Sequence, residues 1–175
     1  MFEIYEVNKS NTHRYAYGSN KKRSLFVLGL NPSCLPDSNL NSTLRNARAF
    51  AKILGFDSFV MINIYPQRST DPALLHKRLS KTAHKKNLEV ISRLLSKNDT
   101  IWAAWGSLID KRDYLYKCLE EINETLSDKH IKWIRYDSLT KQGHPRHPMY
   151  KKHEDRFESF DMDSYLKEKQ SLGPA

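Results

Sequence analysis

Short apolar runs alternate along this chain with longer segments in which apolar residues recur every three or four positions. The runs are typical of strands buried on both faces of a parallel sheet. The spaced residues are typical of helices that bury one stripe. This alternation predicts an α/β fold, a three-layer α/β/α sandwich with a mostly parallel sheet.

Four central strands are predicted, at 24–30, 58–65, 100–106 and 131–136. Helices are predicted at 41–54, at 83–95, from Ser107 through Ile122 and at 162–169. Ser42 or Thr43 can cap the first helix and Gly55 can end it, while Ser107 and Asp110 form a capping-box pattern. We expect one domain over 1–175, with 1–20 as a cover or edge strand and 154–175 as a helix with a frayed tail.

Polar loops follow the predicted strands, at 31–33, 63–72, 106–107 and 143–150. Ligands of open α/β sheets bind beyond the carboxyl ends of the strands. These loops are therefore expected to converge on one site.

The last of these loops reads Gly-His-Pro-Arg-His-Pro-Met-Tyr. Each proline keeps the residue before it in an extended conformation, so His144 and His147 are held out of helix geometry. An imidazole near neutral pH can exchange a proton, bind an anion or ligate a metal. An ordinary surface loop is the alternative.

Two asparagines stand at strand ends. Asn31 can orient a water molecule, and Asn63 offers the paired donor and acceptor that read the edge of a base. The alternative is that each hydrogen-bonds backbone amides at the end of its strand.

Charge favours a polyanionic partner. Lysine and arginine outnumber aspartate and glutamate by 29 to 20, and the formal charge is +9. Nucleic acid is the favoured partner because basic clusters adjoin the polar loops, although solvated lysine faces are the alternative. No apolar run has the roughly 20 residues of a membrane span, and no secretion-signal pattern opens the chain, so a cytoplasmic protein without a membrane partner is expected. Nothing in the pattern sets the oligomeric state.

Several chemistries lack their signatures. The chain has no Gly-x-Ser-x-Gly elbow, Lys-Ser/Thr phosphate loop or Gly-x-Gly-x-x-Gly motif. Cys34 and Cys118 are too few for a disulfide framework, a four-cysteine zinc site or an iron-sulfur cluster. A metal site of His144, His147 and His153 with Asp71 is a weak pattern. We expect neither a metal nor a cofactor.

Seven motifs resemble a domain-of-unknown-function family, number 1643, over most of the chain. They are Arg14-Tyr15, Leu30-Asn31-Pro32-Ser33, Thr43-x-Arg45, Asn63, Thr70-Asp71-Pro72, Ala104-Trp105-Gly106 and Gly143-His144-Pro145-Arg146-His147-Pro148. This resemblance implies no activity.

More distantly, four motifs resemble those of the uracil-DNA glycosylase superfamily, in the same order. They are Gly29-Leu30-Asn31-Pro32, Val60-Met61-Ile62-Asn63 with Pro66, Ala104-Trp105-Gly106 and His144-Pro145. The resemblance implies a uracil-DNA-glycosylase-like fold in which Asn31 positions water, Asn63 reads the extruded base and His144 stabilises the departing base anion. Ser33 and Arg146 differ from the Gly and Ser of that pattern.

Three functions follow as hypotheses. The leading one is a DNA-base glycosylase that hydrolyses the N-glycosidic bond of a flipped damaged or modified base. The second is a non-catalytic binder of nucleic acid or nucleotide in the same cleft. The third is a hydrolase or transferase that acts on a free nucleotide or nucleoside. Asn31 and His144 are the candidate catalytic residues. The candidate binding residues are Asn63, Ser33, Arg68, Thr70, Asp71, Gly106, Arg146, His147, Lys151 and Lys152.

Overall fold

The computed structural model describes residues 3–34, 42–149 and 154–171. Its strands are β1 (Ile4–Val7), β2 (Arg14–Gly18), β3 (Ser24–Gly29), β4 (Ser58–Asn63), β5 (Thr100–Ala103), β6 (Lys132–Tyr136) and β7 (Phe157–Ser159). Its α-helices are α1 (Ser42–Ile53), α2 (Lys81–Leu94), α3 (Tyr114–Thr125) and α4 (Met162–Ser171).

The strands form one sheet in the order β1-β2-β4-β3-β5-β6-β7. The four central strands, β4, β3, β5 and β6, are mutually parallel, and β1, β2 and β7 extend the sheet with antiparallel pairings. The parallel centre is as predicted. The prediction of a four-stranded sheet is wrong for the described chain, because three short outer strands lack the apolar runs that marked the others.

Helices cover both faces of this sheet. Leu25 and Val27 pack with α1 on one face, whereas the alternating Phe26 and Leu28 pack with α2, α3 and α4 on the other. The period of two along a strand sends successive side chains to opposite faces. Apolar burial on both faces explains why β3 is a nearly unbroken apolar run.

The carboxyl ends of the central strands meet at one edge. Gly29 at the end of β3 pairs with Asn63 at the end of β4, and Leu28 pairs with Ala103 of β5. Along the chain, β3 leads to β4 on one side of it, whereas β5 lies on its other side. Such a reversal of strand order opens a crevice at the carboxyl edge.

The helix predicted from Ser107 begins later than expected. A 3₁₀ helix spans Ser107–Lys111, and α3 starts only at Tyr114. The capping box is wrong: the Ser107 hydroxyl donates to Thr140 Oγ1 at 3.0 Å, and Asp110 accepts from other side chains. Gly55 does end α1, with a φ of 76° that favours glycine. No helix among the described ranges is long and apolar enough to span a bilayer.

Candidate functional site

A cleft of about 290 Å³ lies at the carboxyl edge of the sheet. Its walls are the ends of β3, β4 and β5 with the loops that follow them, the first turn of α1 and part of the histidine-proline loop. Five of the predicted site residues line it: Asn31, Ser33, Asn63, Thr70 and His147. The expected convergence of strand-end loops is therefore observed for these five.

Asn63 is the most unusual of them. Its side chain lines the cleft, only 3% of the residue is exposed, and its amide makes no hydrogen bond to any other described residue. Only its backbone carbonyl is bonded, by the Asn87 amide at 2.8 Å. The buried side-chain atoms without a partner in the described structure do not include this amide, so the amide reaches the cleft and is open to a ligand or water.

Gly29 makes room for that amide. A Cβ atom built on Gly29 would lie 3.0 Å from Asn63 Oδ1, closer than nearly all real contacts of that kind. The neighbouring strand end is therefore glycine for a steric reason. In the sequence, the sign of this close approach between two strand ends is the Gly that ends an otherwise apolar run.

Asn31 is held by the chain in one orientation. Its Nδ2 donates to the carbonyl oxygens of Ser69 at 2.8 Å and Pro32 at 3.2 Å. Carbonyl oxygens only accept, which fixes which end of the amide carries nitrogen. Asn31 does hydrogen-bond to the backbone, as the alternative interpretation expected. Its Oδ1, however, has no partner among the described residues and can accept a hydrogen bond from a water molecule.

His147 is the histidine that lines the cleft. Its Nδ1 accepts from the backbone N–H of Met149 at 3.2 Å, so the proton of a neutral ring is on Nε2. Gly106 packs beside it: a Cβ there would lie 3.5 Å from His147 Cβ, and its φ of 71° favours glycine. The cleft thus contains an imidazole that can donate a hydrogen bond.

Arg14 was missed from the sequence. It is 5% exposed, lines the cleft, and its guanidinium carbon lies 5.2 Å from the centre of the Tyr17 ring. No aspartate or glutamate is among the described residues that line the cleft. The available signal was an arginine at the start of the Arg-Tyr-Ala-Tyr-Gly segment, which we interpreted as part of a cover or edge strand and not as part of the site.

His144 lies behind the cleft rather than in its lining. It is 1% exposed, and both ring nitrogens are bonded, Nδ1 to Tyr165 Oη at 2.8 Å and Nε2 to Asp110 Oδ2 at 3.0 Å. Tyr165 belongs to α4 and also accepts from Trp105 Nε1 at 3.1 Å. His144 therefore joins the histidine-proline loop to α4 and to a tryptophan in the cleft wall.

The partners in this network fix the ring's protons. An ionised Asp110 accepts hydrogen bonds, so His144 Nε2 donates to it and Nδ1 accepts from the Tyr165 hydroxyl. The Trp105 indole in turn donates to Tyr165, and Tyr116 donates to Asp110 at 2.6 Å. Every hydrogen has an acceptor when His144 is neutral. Burial correspondingly lowers the pKa of His144, against a smaller opposing effect of Asp110.

We therefore expect acid to destabilise the protein through His144. Its folded pKa lies below the unfolded value of 6.5, so the unfolded chain binds the proton first and stability falls as the pH drops below about 6.5. Burial and His76 lower the pKa of His13 in the same direction. Urea unfolding at pH 7.5 and 5.5 should show this fall, and His144→Gln should reduce it. An equal fall in both proteins would contradict the role of His144.

Four other predicted residues do not line the cleft and instead bond to or pack against the structure around it. Arg68 Nη1 donates to Asn11 Oδ1 at 2.9 Å in a separate surface hollow, and Asp71 caps a short 3₁₀ helix by accepting from Ala73 N–H at 2.8 Å. Arg146 Nε donates to the Ser138 carbonyl at 2.7 Å. Gly106 supports His147 as described above.

Two binding residues, Lys151 and Lys152, lie outside the described residues, as does His153. Within the described ranges no three His, Cys, Asp or Glu side chains come together as metal ligands.

Fold and site together define an α/β protein whose sheet has a parallel centre and carries a cleft at its carboxyl edge, with no carboxylate among the described lining residues. The chain belongs to the family described as "Protein of unknown function (DUF1643)", whose model matches residues 14–149. No curated protein and no solved structure matches the chain. The likeness to the uracil-DNA glycosylase superfamily stays a prediction.

Proposed function

We propose that the cleft binds a nucleobase of a nucleic acid and that the protein hydrolyses the N-glycosidic bond of that base. The observation that carries this proposal is the Asn63 amide, which lines the cleft and has no partner among the described residues. An amide presents a donor beside an acceptor, and the edge of a base offers the complementary pair.

The remaining lining suits a flat, partly apolar ligand. Leu30, Met61 and Trp105 supply apolar surface around Asn63, and a volume of about 290 Å³ is at the small end of ligand pockets. The charge of +9 favours a polyanion such as nucleic acid. The motif order of the uracil-DNA glycosylase superfamily supports the same ligand.

In the proposed hydrolysis a water oxygen bonds to the sugar C1′ while the bond between C1′ and the base nitrogen breaks. The base leaves with the electron pair, and the water loses a proton to solvent. Asn31 Oδ1 accepts from the water and orients it, but an amide cannot deprotonate it. Because no carboxylate is among the described residues that line the cleft, the proposed reaction depends on stabilising the departing base.

His147 is the better placed imidazole for that task. The resemblance assigns it to His144, whose two ring nitrogens are bonded to Tyr165 and Asp110. His147 lines the cleft, and its neutral ring carries a proton on Nε2. In this proposal His147 donates to the leaving base and His144 positions the wall behind it.

The absence of a carboxylate among the described lining residues also favours a second candidate function. A cleft without a general base can recognise a base or nucleotide and do no chemistry. That protein would bind DNA in a salt-sensitive way and release no base.

A screen of oligonucleotides that each carry one modified base tests the reaction, with abasic sites detected by alkaline cleavage. We expect cleavage of at least one substrate, and we expect Asn31→Ala to slow it about 100-fold or more, as for other groups that act on the transition state. Asn123→Ala is the control, because Asn123 bonds Asp163 between α3 and α4. Salt-sensitive binding without any abasic product would reject hydrolysis and favour the binding protein.

A further inference from the structure

The segment that leaves the cleft after β4 is strongly basic. It begins at Pro72, which lines the cleft, and continues into α2 as far as Leu88. This stretch contains no aspartate or glutamate. Its cations are Lys77, Arg78, Lys81, Lys85 and Lys86. Positive charge therefore extends along the chain from the edge of the cleft.

Four of these cations are exposed, and their side chains neither pair nor hydrogen-bond with any residue that the structure describes. Lys86 differs, because it pairs with Glu89 at 3.5 Å. The first turn of α2 contains no acidic residue, so the positive partial charge of the helix amino end adds to theirs. We call the four cations the basic strip. They are Lys77, Arg78, Lys81 and Lys85.

Acidic side chains of the adjoining elements have other partners. Asp71 accepts from the Ala73 N–H at 2.8 Å, and Asp110 accepts from Tyr116 at 2.6 Å. Asp113 is exposed at the start of α3 and forms no ion pair with the strip. The basic strip thus keeps its charge available for a polyanion.

The loop before α2 is held in place beside the cleft. A 3₁₀ helix at Pro72–Leu74 packs against the 3₁₀ helix at Ser107–Lys111. Arg112 Nη2 donates to the carbonyl oxygens of Ala73 at 2.6 Å and Leu75 at 3.0 Å. The basic strip therefore has a defined position relative to the cleft.

Two exposed leucines belong to this pair of 3₁₀ helices. Leu108 lines the cleft and is 46% exposed, and Leu74 is 72% exposed. Apolar side chains gain nothing from a phosphate, but they gain from covering the face of a base. A single strand offers such faces, whereas a duplex hides them by stacking. Exposed leucines beside unpaired cations therefore suit a single strand better than a duplex.

We propose that this surface binds a single strand of nucleic acid on one side of the nucleotide whose base enters the cleft. Phosphates of the neighbouring nucleotides contact the basic strip, and their bases contact Leu74 and Leu108. This inference rests on the proposed function, because it assumes that Asn63 receives a base. It adds the substrate class, a single strand, which the proposed function leaves open.

Fluorescence anisotropy with a labelled DNA strand of about 12 nucleotides, and with the duplex of the same sequence, tests the surface over a range of salt concentrations. For wild-type protein we expect the strand to bind about fivefold tighter than the duplex, or more. The triple variant Lys77→Gln, Arg78→Gln, Lys81→Gln should bind the strand about tenfold more weakly or worse. Its slope of log affinity against log salt should be smaller by about 2, because each phosphate contact with a single strand contributes about 0.7.

A second triple variant is the matched control, with the same loss of charge elsewhere. Its changes are Lys21→Gln, Lys22→Gln and Lys97→Gln, at exposed positions in the loops before β3 and β5. These loops lie at the amino ends of the parallel strands, opposite the cleft. We expect this variant to keep the wild-type salt slope and strand affinity.

Leu74→Ser tests the apolar part of the surface. Because Leu74 is largely exposed, the variant should fold as the wild type does. We expect it to lower the affinity for the strand about fivefold and to leave the affinity for the duplex unchanged. Ile53→Ser, at an exposed apolar residue in the last turn of α1, should change neither affinity.

The outcomes separate this inference from the proposed function. Equal affinity for strand and duplex would overturn it, as would wild-type binding by the first triple variant. Polyglutamate that binds as tightly as the strand would also overturn it, by showing a surface for any polyanion. None of these results bears on base recognition, which nucleoside binding to wild-type protein and to Asn63→Leu measures separately. Strand binding that needs the basic strip, without any nucleoside binding, would keep the surface and contradict base recognition.

Discussion

Asn63→Leu is expected to weaken base recognition and to leave the stability of the protein nearly unchanged. Leucine keeps the approximate shape of the side chain but removes the donor and acceptor, so affinity for the ligand should fall about 10- to 100-fold. Because the amide bonds to no described residue and reaches the cleft, its replacement should change the free energy of unfolding by less than about 1 kcal/mol. Oligonucleotide binding and urea unfolding measure the two effects.

Asn87→Leu is the matched control for this change. Asn87 is also buried, but its Nδ2 donates to the carbonyl oxygens of Asn63 at 2.8 Å and Ile64 at 3.3 Å. The same substitution there should lower the free energy of unfolding by about 1–3 kcal/mol, because carbonyls lose their donor. If Asn63→Leu proved as destabilising as Asn87→Leu, Asn63 would be a structural amide and its proposed role would be lost.

The two histidines of the histidine-proline loop should give opposite results. His144→Ala is expected to lower the free energy of unfolding by about 2–4 kcal/mol, because it creates a cavity and leaves the Tyr165 hydroxyl without its acceptor. His147→Ala should lower the free energy of unfolding by less than about 1 kcal/mol, because that side chain is only partly buried. Base release, in contrast, should fail in His147→Ala.

The comparison needs His144→Gln as a further variant. Glutamine retains a donor for Asp110 and fills part of the space, so this variant should recover part of the stability lost in His144→Ala. Thermal unfolding and the abasic-site assay, performed on all three proteins, decide between the histidines. Loss of base release in a stably folded His144→Gln, with normal release in His147→Ala, would restore the role that the resemblance gave to His144.

The central sheet could be predicted because strands that are buried on both faces appear in the sequence as apolar runs. A strand such as β3 must be apolar at nearly every position, and the parallel arrangement then brings Asn31 and Asn63 to one edge. The outer strands have no such requirement. β7 is three residues long, and its pairing with β6 depends on tertiary contacts.

Residue type alone could not show which of His144 and His147 lines the cleft and which is buried behind it. Both precede a proline and differ in position by three residues, but His144 meets Tyr165, which lies 21 residues further along the chain on α4. Arg146 was predicted as a binding residue, and its guanidinium bonds a loop carbonyl only eight residues away. Arg14 was not predicted to bind, yet its segment, interpreted as a cover or edge strand, forms β2 and brings it into the cleft lining.

The most direct measurement for the central claim is a side-chain amide NMR titration with a panel of nucleobases, nucleosides and short single-stranded oligonucleotides. The two amide protons of Asn63 should shift on binding of a base, whereas those of Asn123, outside the cleft lining, should stay in place. The Asn63→Leu spectrum identifies the relevant signals. Binding that shifts other amides and leaves those of Asn63 unmoved would contradict recognition of a base in this cleft.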